Sequence, residues 1–281
     1  MKIHFLLDEQ VHLQPCPSYV CAMALLADRG YTVSRGIPEA ALLCPDRLCV
    51  RHDLYVLQSR TELALSVAAV LHDRGGLFLN SYPGCALAHD RITAAGRLAA
   101  GGVPVPRSWV TADFALLCEL AADCPVVVKP YRGGSGVKTV VAHGADDLAG
   151  IPLRELPVLV QEFVEPRGPD LLLQAIGEEV FATERATGVA APVTAQLREL
   201  ALRCGRVFGL GVYGIEVVQG SDGPLVVDFD RAPCLAGVPH AASLLACHIE
   251  NVVEGHTVLQ REPPPLHVAR GCAGELQGLP A

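Results

Sequence analysis

The chain has 281 residues, 51% of them hydrophobic and 19% charged, with a formal net charge of −8. That length holds a sizeable core and two or three small domains, and an acidic balance with no Lys/Arg run argues against a nucleic-acid partner. No apolar stretch is long and charge-free enough to span a bilayer, and "MKIHFLLDEQ" turns acidic too early for a signal peptide, so a cytoplasmic protein without a membrane partner is expected.

"KIHFLL" (2–7) reads as a first strand and "SYVCAMALLADRG" (18–30) as a helix with apolar residues at helical spacing and a Gly stop. "DLYVLQS" (53–59) is a second strand, "ELALSVAAVLHDRGG" (62–76) a second helix, and "LFLNS" (77–81) a third strand. Such alternation predicts a small parallel α/β layer. A helix from Asp90 to Ala100 ends in Gly-Gly, followed by a Pro-x-Pro connector and a strand at 108–111. "ADFALLCELAAD" (112–123) is an amphipathic helix. "PVVVKP" and "VKTVVA" are strands around a glycine loop, "DDLAGI" (146–151) opens a short helix, and "VLVQEFVE" (158–165) is a strand. "DLLLQAIGEEVFATERAT" (170–187) reads as two strands turning at Gly177-Glu178. Residues 194–210 form a helix, 211–233 a hairpin turning at Gly220–Gly223, and 239–253 a last helix. The Pro- and Gly-rich tail from 262 is expected to be loosely held.

The eleven cysteines are odd in number and come without an export signal, which argues against a disulfide framework. Cys16/Cys21 and Cys44/Cys49 are each five apart, a poor match to zinc pairs. They are expected to act as small buried hydrophobes.

"VVVKPYRGGSGVKTVVAH" (126–143) has the glycines and Lys-Thr pair of a phosphate loop, but it is not a Walker A site. Val137 precedes Lys138 where a Gly is needed, and a strand follows where a helix is needed. Gly133, Gly134, Ser135 and Gly136 nevertheless leave backbone N–H groups free to approach phosphate oxygens. Lys129 ends a buried strand, where a cation needs an anionic partner. A glycine-rich hairpin turn is the bland alternative for this loop.

Three acids stand on the late hairpin. Glu216 and Asp228 lie on adjacent strands across the turn, and Asp228 and Asp230 share one face of their strand. Val226, Val227 and Phe229 frame them. Converging acids on an apolar hairpin are costly without a cation between them. Mg²⁺ suits such a site, since it takes one or two carboxylates and completes its shell with water and phosphate. The alternative is that some of these acids are solvated turn residues. In "VLVQEFVE", exposed backbone at the strand end could bond the rim of an adenine, with Glu165 placed to meet ribose hydroxyls; an ordinary edge strand is the alternative.

In this order, "LFLNSYPGCALAHDRITAAGRLAAGGVPVPRSWV", "PVVVKPYRGGSGVKTVV", "VLVQEFVE", "GVYGIEVV" and "LVVDFDRAP" resemble the ATP-grasp superfamily, within it the RimK-like and LysX-like carboxylate–amine ligases. The resemblance covers roughly 53–253. It implies an α/β (α+β) ATP-grasp fold, with two α+β subdomains clamping ATP and a small parallel α/β domain in front. The implied division is 1–83 for the N-terminal domain, 84–164 for the lobe with the glycine-rich hairpin, 165–261 for the lobe with the metal site, and 262–281 for the tail. It implies that Lys129, Gly133, Gly134, Ser135 and Gly136 contact the ATP phosphates. Gln161, Glu162, Phe163 and Val164 would form the adenine linker, with Glu165 at the ribose. Glu216, Asp228 and Asp230 would hold one or two Mg²⁺ ions, for which Mn²⁺ can substitute. Arg185 would meet the acyl-phosphate or acceptor side, and Lys129 and Arg185 would be the catalytic cations.

The sequence departs from the family pattern in places. Arg91 stands where a helix-borne Lys is usual and, keeping the charge, would still bind the ATP phosphates with a changed geometry; Leu172 stands where an Arg after the linker is usual. Asp230 replaces an Asn, Cys234 replaces a Gly, and the loop after Arg185 is short. Cys234 is expected to be a packing residue. The implied reaction is ATP-dependent amide formation between small-molecule or peptide carboxylate and amine substrates, through an acyl phosphate. A small-molecule kinase acting on a hydroxyl and a non-catalytic nucleotide-binding protein of the same fold are the alternatives. His89 and His240 are candidate polar contacts in the substrate pocket, with a surface or packing role the commoner reading of such a histidine. The family implies a homodimer or homotetramer, and no sequence feature decides between them.

Overall fold

The computed structural model describes residues 1–8, 17–132, 139–150, 157–258 and 262–265. The glycines and serine at 133–136 and most of the tail lie outside the described residues, as does the end of the short helix read at 146–151.

Strand β1 (Lys2–Leu7) lies inside a four-stranded parallel sheet. Its neighbours are β2 (Thr32–Gly36) and β3 (Leu54–Gln58), and β4 (Phe78–Leu79) joins beyond β3. Every residue of β3 is buried, which matches its unbroken "LYVLQ" run and a strand covered on both faces. Helix α1 (Pro17–Asp28) packs on one side of the molecule against the last helix, α7 (Ala241–Val253). Helix α2 (Glu62–Asp73) is capped by Thr61, whose hydroxyl accepts from Ala64 N.

Strand β4 runs directly into α3 (Tyr82–His89) and α4 (Arg91–Ala100). No helix is expected from the sequence at α3, whose first turn carries Pro83 and Gly84. Here Ser81 caps the helix and Pro83 sits in the first turn, where its missing N–H is harmless. A Cβ on Gly84 would lie 2.3 Å from the carbonyl oxygen of Phe208, so that glycine lets α3 press onto α6 (Ala195–Phe208).

Two antiparallel sheets follow. One has the order β5-β8-β6-β7, from β5 (Ser108–Thr111), β6 (Val126–Pro130), β7 (Val140–Ala142) and β8 (Val158–Glu162). Helix α5 (Phe114–Asp123) covers it, and Leu117, Val126, Val128, Val158 and Val160 make a core of their own. Each such burial is worth roughly 1.5–3 kcal/mol. The other sheet has the order β11-β10-β9-β12-β13. Its strands are β9 (Leu171–Ile176), β10 (Glu179–Glu184), β11 (Ala190–Ala191), β12 (Val212–Gly220) and β13 (Gly223–Asp230). Helix α6 buries seven residues on it and ends at Gly209, φ +67°. Leu6, Tyr55 and Leu57 of the parallel sheet share one core with Phe208, Tyr213 and Ile215 of this region. The parallel sheet thus shares a core with the β9–β13 sheet, while the sheet of β5 to β8 has a separate core. Among the described residues, no helix is long and apolar enough to cross a membrane.

Candidate active site

The β12–β13 hairpin builds the floor of the site. Its register pairs Gly214 with Asp230 and Glu216 with Asp228, then shifts so that Val217 meets Val226. Val227 is the extra residue of this bulge. Its carbonyl accepts from Lys129 Nζ at 2.6 Å. The cation at the end of β6 is thereby fixed against the hairpin. Burial pushes the Lys129 ammonium below its ordinary value, and Asp228 works against that shift.

The three acids each meet one guanidinium. Arg185 Nη2 is 3.3 Å from Glu216 Oε1, and Arg91 Nη2 is 3.3 Å from Asp228 Oδ2. Arg60 Nη2 lies 2.5 Å from Asp230 Oδ2, with its Nε 3.4 Å from Oδ1. Arg91 is also anchored to the Pro130 carbonyl at 3.2 Å. Burial pushes the Glu216 carboxyl up, and Arg185 opposes it. Glu216, Asp228, Asp230, Arg60 and Arg91 line an open cleft of about 380 Å³ with Leu172, Gln174, His89, Arg231 and Cys234. Beside it, Ala94, Ala95, Leu98, Val105 and Leu159 wall a narrow apolar slot that Lys129, Gln161 and Asp228 enter.

Glu216 and Asp228 are hard oxygen donors side by side, which fits Mg²⁺. Among the described residues, no three His, Cys, Asp or Glu side chains form a ready-made metal cluster. Asp230 is turned to Arg60 and to the N–H of Ala232, at 3.0 Å. The linker is half committed: Glu162 N donates to Arg107 O at 2.9 Å and Phe163 N to Pro125 O at 3.0 Å. Gln161 is buried, whereas Glu162 and Glu165 are exposed.

Several residues of this region are absent from the sequence reading. Arg60 comes from the connection between β3 and α2. Arg231 is buried, donates to Ser59 O at 2.8 Å, and approaches His89 Nδ1 at 3.4 Å. His89 passes the chain on to Glu62 Oε1 at 2.9 Å, and Arg132 reaches the same oxygen at 2.9 Å. Asn80 is buried below; its Oδ1 accepts from Gly211 N and Val212 N at 2.9 Å each, and its Nδ2 donates to Arg231 O at 3.1 Å. A polar residue directly after the buried pair Phe78–Leu79 is the signal that could have marked Asn80. Two expectations are corrected. Cys234 is exposed and lines the cleft rather than packing in a core, because the chain turns outward after β13. Among the nine described cysteines, Cys21, Cys44, Cys49 and Cys247 are exposed as well, so only Cys85 and Cys204 fit the buried reading fully. His240 is exposed at the start of α7, outside the cleft.

The profile of the RimK-like ATP-grasp domain matches residues 88–245. A ribosomal protein bS6–L-glutamate ligase of Escherichia coli O7:K1 (strain IAI39 / ExPEC) is 29% identical over 187 residues, which cover 58% of this chain and 62% of the relative. The match thus spans about three fifths of that relative's length. The crystal structure of a RimK domain ATP-grasp protein from Sphaerobacter thermophilus DSM 20745 superposes with a TM-score of 0.76 at 22% identity, over 89% of this chain and 100% of that one. The ATP-grasp ligase PsnB, complexed with minimal precursor, Mg and ADP, superposes with a TM-score of 0.64 at 18% identity, over 89% and 97%.

Proposed function

The chain belongs to the RimK-like ATP-grasp family, and from that premise we propose that it is an ATP-dependent carboxylate–amine ligase. The observation that carries the reading is the gathering of Lys129, Arg91 and Arg185 around Glu216 and Asp228 at the cleft.

In this reading a substrate carboxylate attacks the γ-phosphorus of ATP, forming an acyl phosphate and releasing ADP. An amine then attacks the acyl carbon, the amide forms, and orthophosphate leaves with the amine's proton passed to solvent. Glu216 and Asp228, with Asp230 beside them, would hold Mg²⁺. Bound there, the ion would neutralise the phosphate oxygens and orient them for in-line transfer. Lys129 and Arg91 bind the phosphates, and Arg185 holds the acyl-phosphate side. The linker from Gln161 to Val164 takes the adenine, and the N–H groups already used by Glu162 and Phe163 leave the base to Val164 and its neighbours. Gly133 to Gly136 would cover the phosphates and exclude water from the acyl phosphate. No nucleophilic side chain is needed, so Cys234 has no chemical part.

The test is incubation with ATP, Mg²⁺ and pooled amino acids and carboxylic acids, with L-glutamate first because a relative is named for ligating it. The expected products are ADP, phosphate and a new amide mass. A phosphorylated hydroxyl compound instead would make the protein a kinase. ATP bound but never turned over would make it a binding protein, with the uncharged Leu172 on the cleft wall as the cause.

A further inference from the structure

Arg60 belongs to none of the motifs shared with the family; it sits in "VLQSRTE", between β3 and α2. Its backbone is pinned, since its N–H donates to Asp8 Oδ2 at 3.1 Å and the next residue caps α2. Its side chain reaches across the cleft from the N-terminal domain and remains half exposed, at 48%. Asp230 holds the guanidinium through two nitrogens.

The one-to-one pairing of hairpin acids with arginines has a consequence for any metal that arrives. A divalent cation and a guanidinium compete for the same carboxylate oxygens, and like charges at contact repel. Metal binding at the hairpin therefore releases guanidiniums into the cleft. Arg91 keeps its second anchor on the Pro130 carbonyl. Arg60 is freed within the same cleft, whose lining also holds the uncharged Leu172. A guanidinium fork matches a carboxylate or phosphoryl group through two parallel hydrogen bonds.

We propose that Arg60 is a metal-gated substrate-binding residue. In the metal-free protein it neutralises Asp230. Once a divalent cation takes that carboxylate, Arg60 turns to the oxyanion of the non-nucleotide substrate, the reacting carboxylate and then the phosphoryl group that it carries. The inference rests on the ligase reading and adds to it the residue through which the N-terminal domain selects an acid.

The first measurement is Mn²⁺ binding to the nucleotide-free protein by electron paramagnetic resonance. Arg60→Gln removes a competing charge, so it should bind Mn²⁺ about 5-fold more tightly than the parent protein. The second is calorimetric titration of orthophosphate. With saturating Mg·ADP, Arg60→Gln should weaken phosphate binding at least about 5-fold, and without metal by less than about 2-fold. Arg60→Lys should recover part of the loss, and the thermal melt of each variant checks the fold. Unchanged or weaker Mn²⁺ binding in Arg60→Gln would overturn the proposal. So would an equal phosphate loss with and without metal, or a parent protein that binds no phosphate beside Mg·ADP. If the parent protein binds no Mn²⁺ even with ADP, the metal-site reading itself falls, and the proposal with it.

Discussion

Two polar clusters lie under the surface of this protein, and they meet the cost of burial in opposite ways. In the parallel sheet, His4 Nδ1 shares a hydrogen bond with Ser34 Oγ at 2.8 Å, Ser34 reaches His52 Nε2 at 3.2 Å, and the two histidine rings stack at 4.6 Å. Burial, with His52 beside it, lowers the His4 pKa to about 4. This cluster is neutral, and its hydrogen bonds join β1, β2 and the start of β3. At the cleft, by contrast, the polar groups of the hairpin are charged, and each of the three acids has a guanidinium opposite it. A neutral satisfied network fixes a structure. Charged pairs half open to water are weak as stability devices and can exchange partners. The first cluster reads as a seam between strands, the second as a site waiting for ions of both signs.

The largest effect that can break this contrast is at Asp228. Asp228→Asn should lower Mg²⁺-dependent ADP formation at least about 10³-fold, roughly 4 kcal/mol of barrier, while the thermal melt stays close to the parent's. ADP release at the parent rate would remove the metal from the hairpin. Asn80 tests the neutral class inside the cleft's own foundation. Its amide saturates buried backbone groups of Gly211, Val212 and Arg231, so Asn80→Ala should cost about 3 kcal/mol in urea unfolding. A loss below 1 kcal/mol would mean that water replaces the amide. Lys129 falls between the classes, a buried cation held by the Val227 carbonyl. Lys129→Met should weaken ATP binding about 30-fold, near 2 kcal/mol, by calorimetry. Unaltered affinity would make Lys129 a structural residue of the bulge.

Much of the framework was legible because local chemistry decides it. Gly177, at φ +62°, turns β9 into β10 where the sequence asks for a turn, and the tight Gly220–Gly223 turn sets the hairpin register as far as Val217 opposite Val226, beyond which the bulge at Val227 brings Glu216 opposite Asp228. Strand β2 was hidden because "TVSRG" has one apolar residue at a sheet edge. Helix α3 was hidden because Pro83 and Gly84 serve a helix start and a close approach to Phe208 rather than a turn. The cleft was legible only in part. The acids lie within one hairpin, but Arg60 and Asp230 are 170 positions apart. Nor does any local pattern announce that Val227 bulges and offers its carbonyl to Lys129.

The smallest effect sharpens the other side of the contrast. His4 has a folded-state pKa of about 4 against an ordinary 6.5, so it stays neutral in the fold while the unfolded chain takes up a proton below about pH 6.5. The unfolded state then binds more protons, and stability falls as pH drops from 6.5 towards 4. His4 is only partly buried, so the full shift is discounted for solvent screening, and its share is on the order of 2 kcal/mol. Urea unfolding at pH 7.5 and pH 4.5 should show the parent losing about that much more than His4→Gln, which keeps a hydrogen-bonding group and cannot titrate. Equal losses in the two proteins would mean that His4 takes up its proton in the folded state without penalty. The sheet cluster would then be as open to charge as the cleft, and the distinction between a seam and a site would have to rest on the arginine pairs alone.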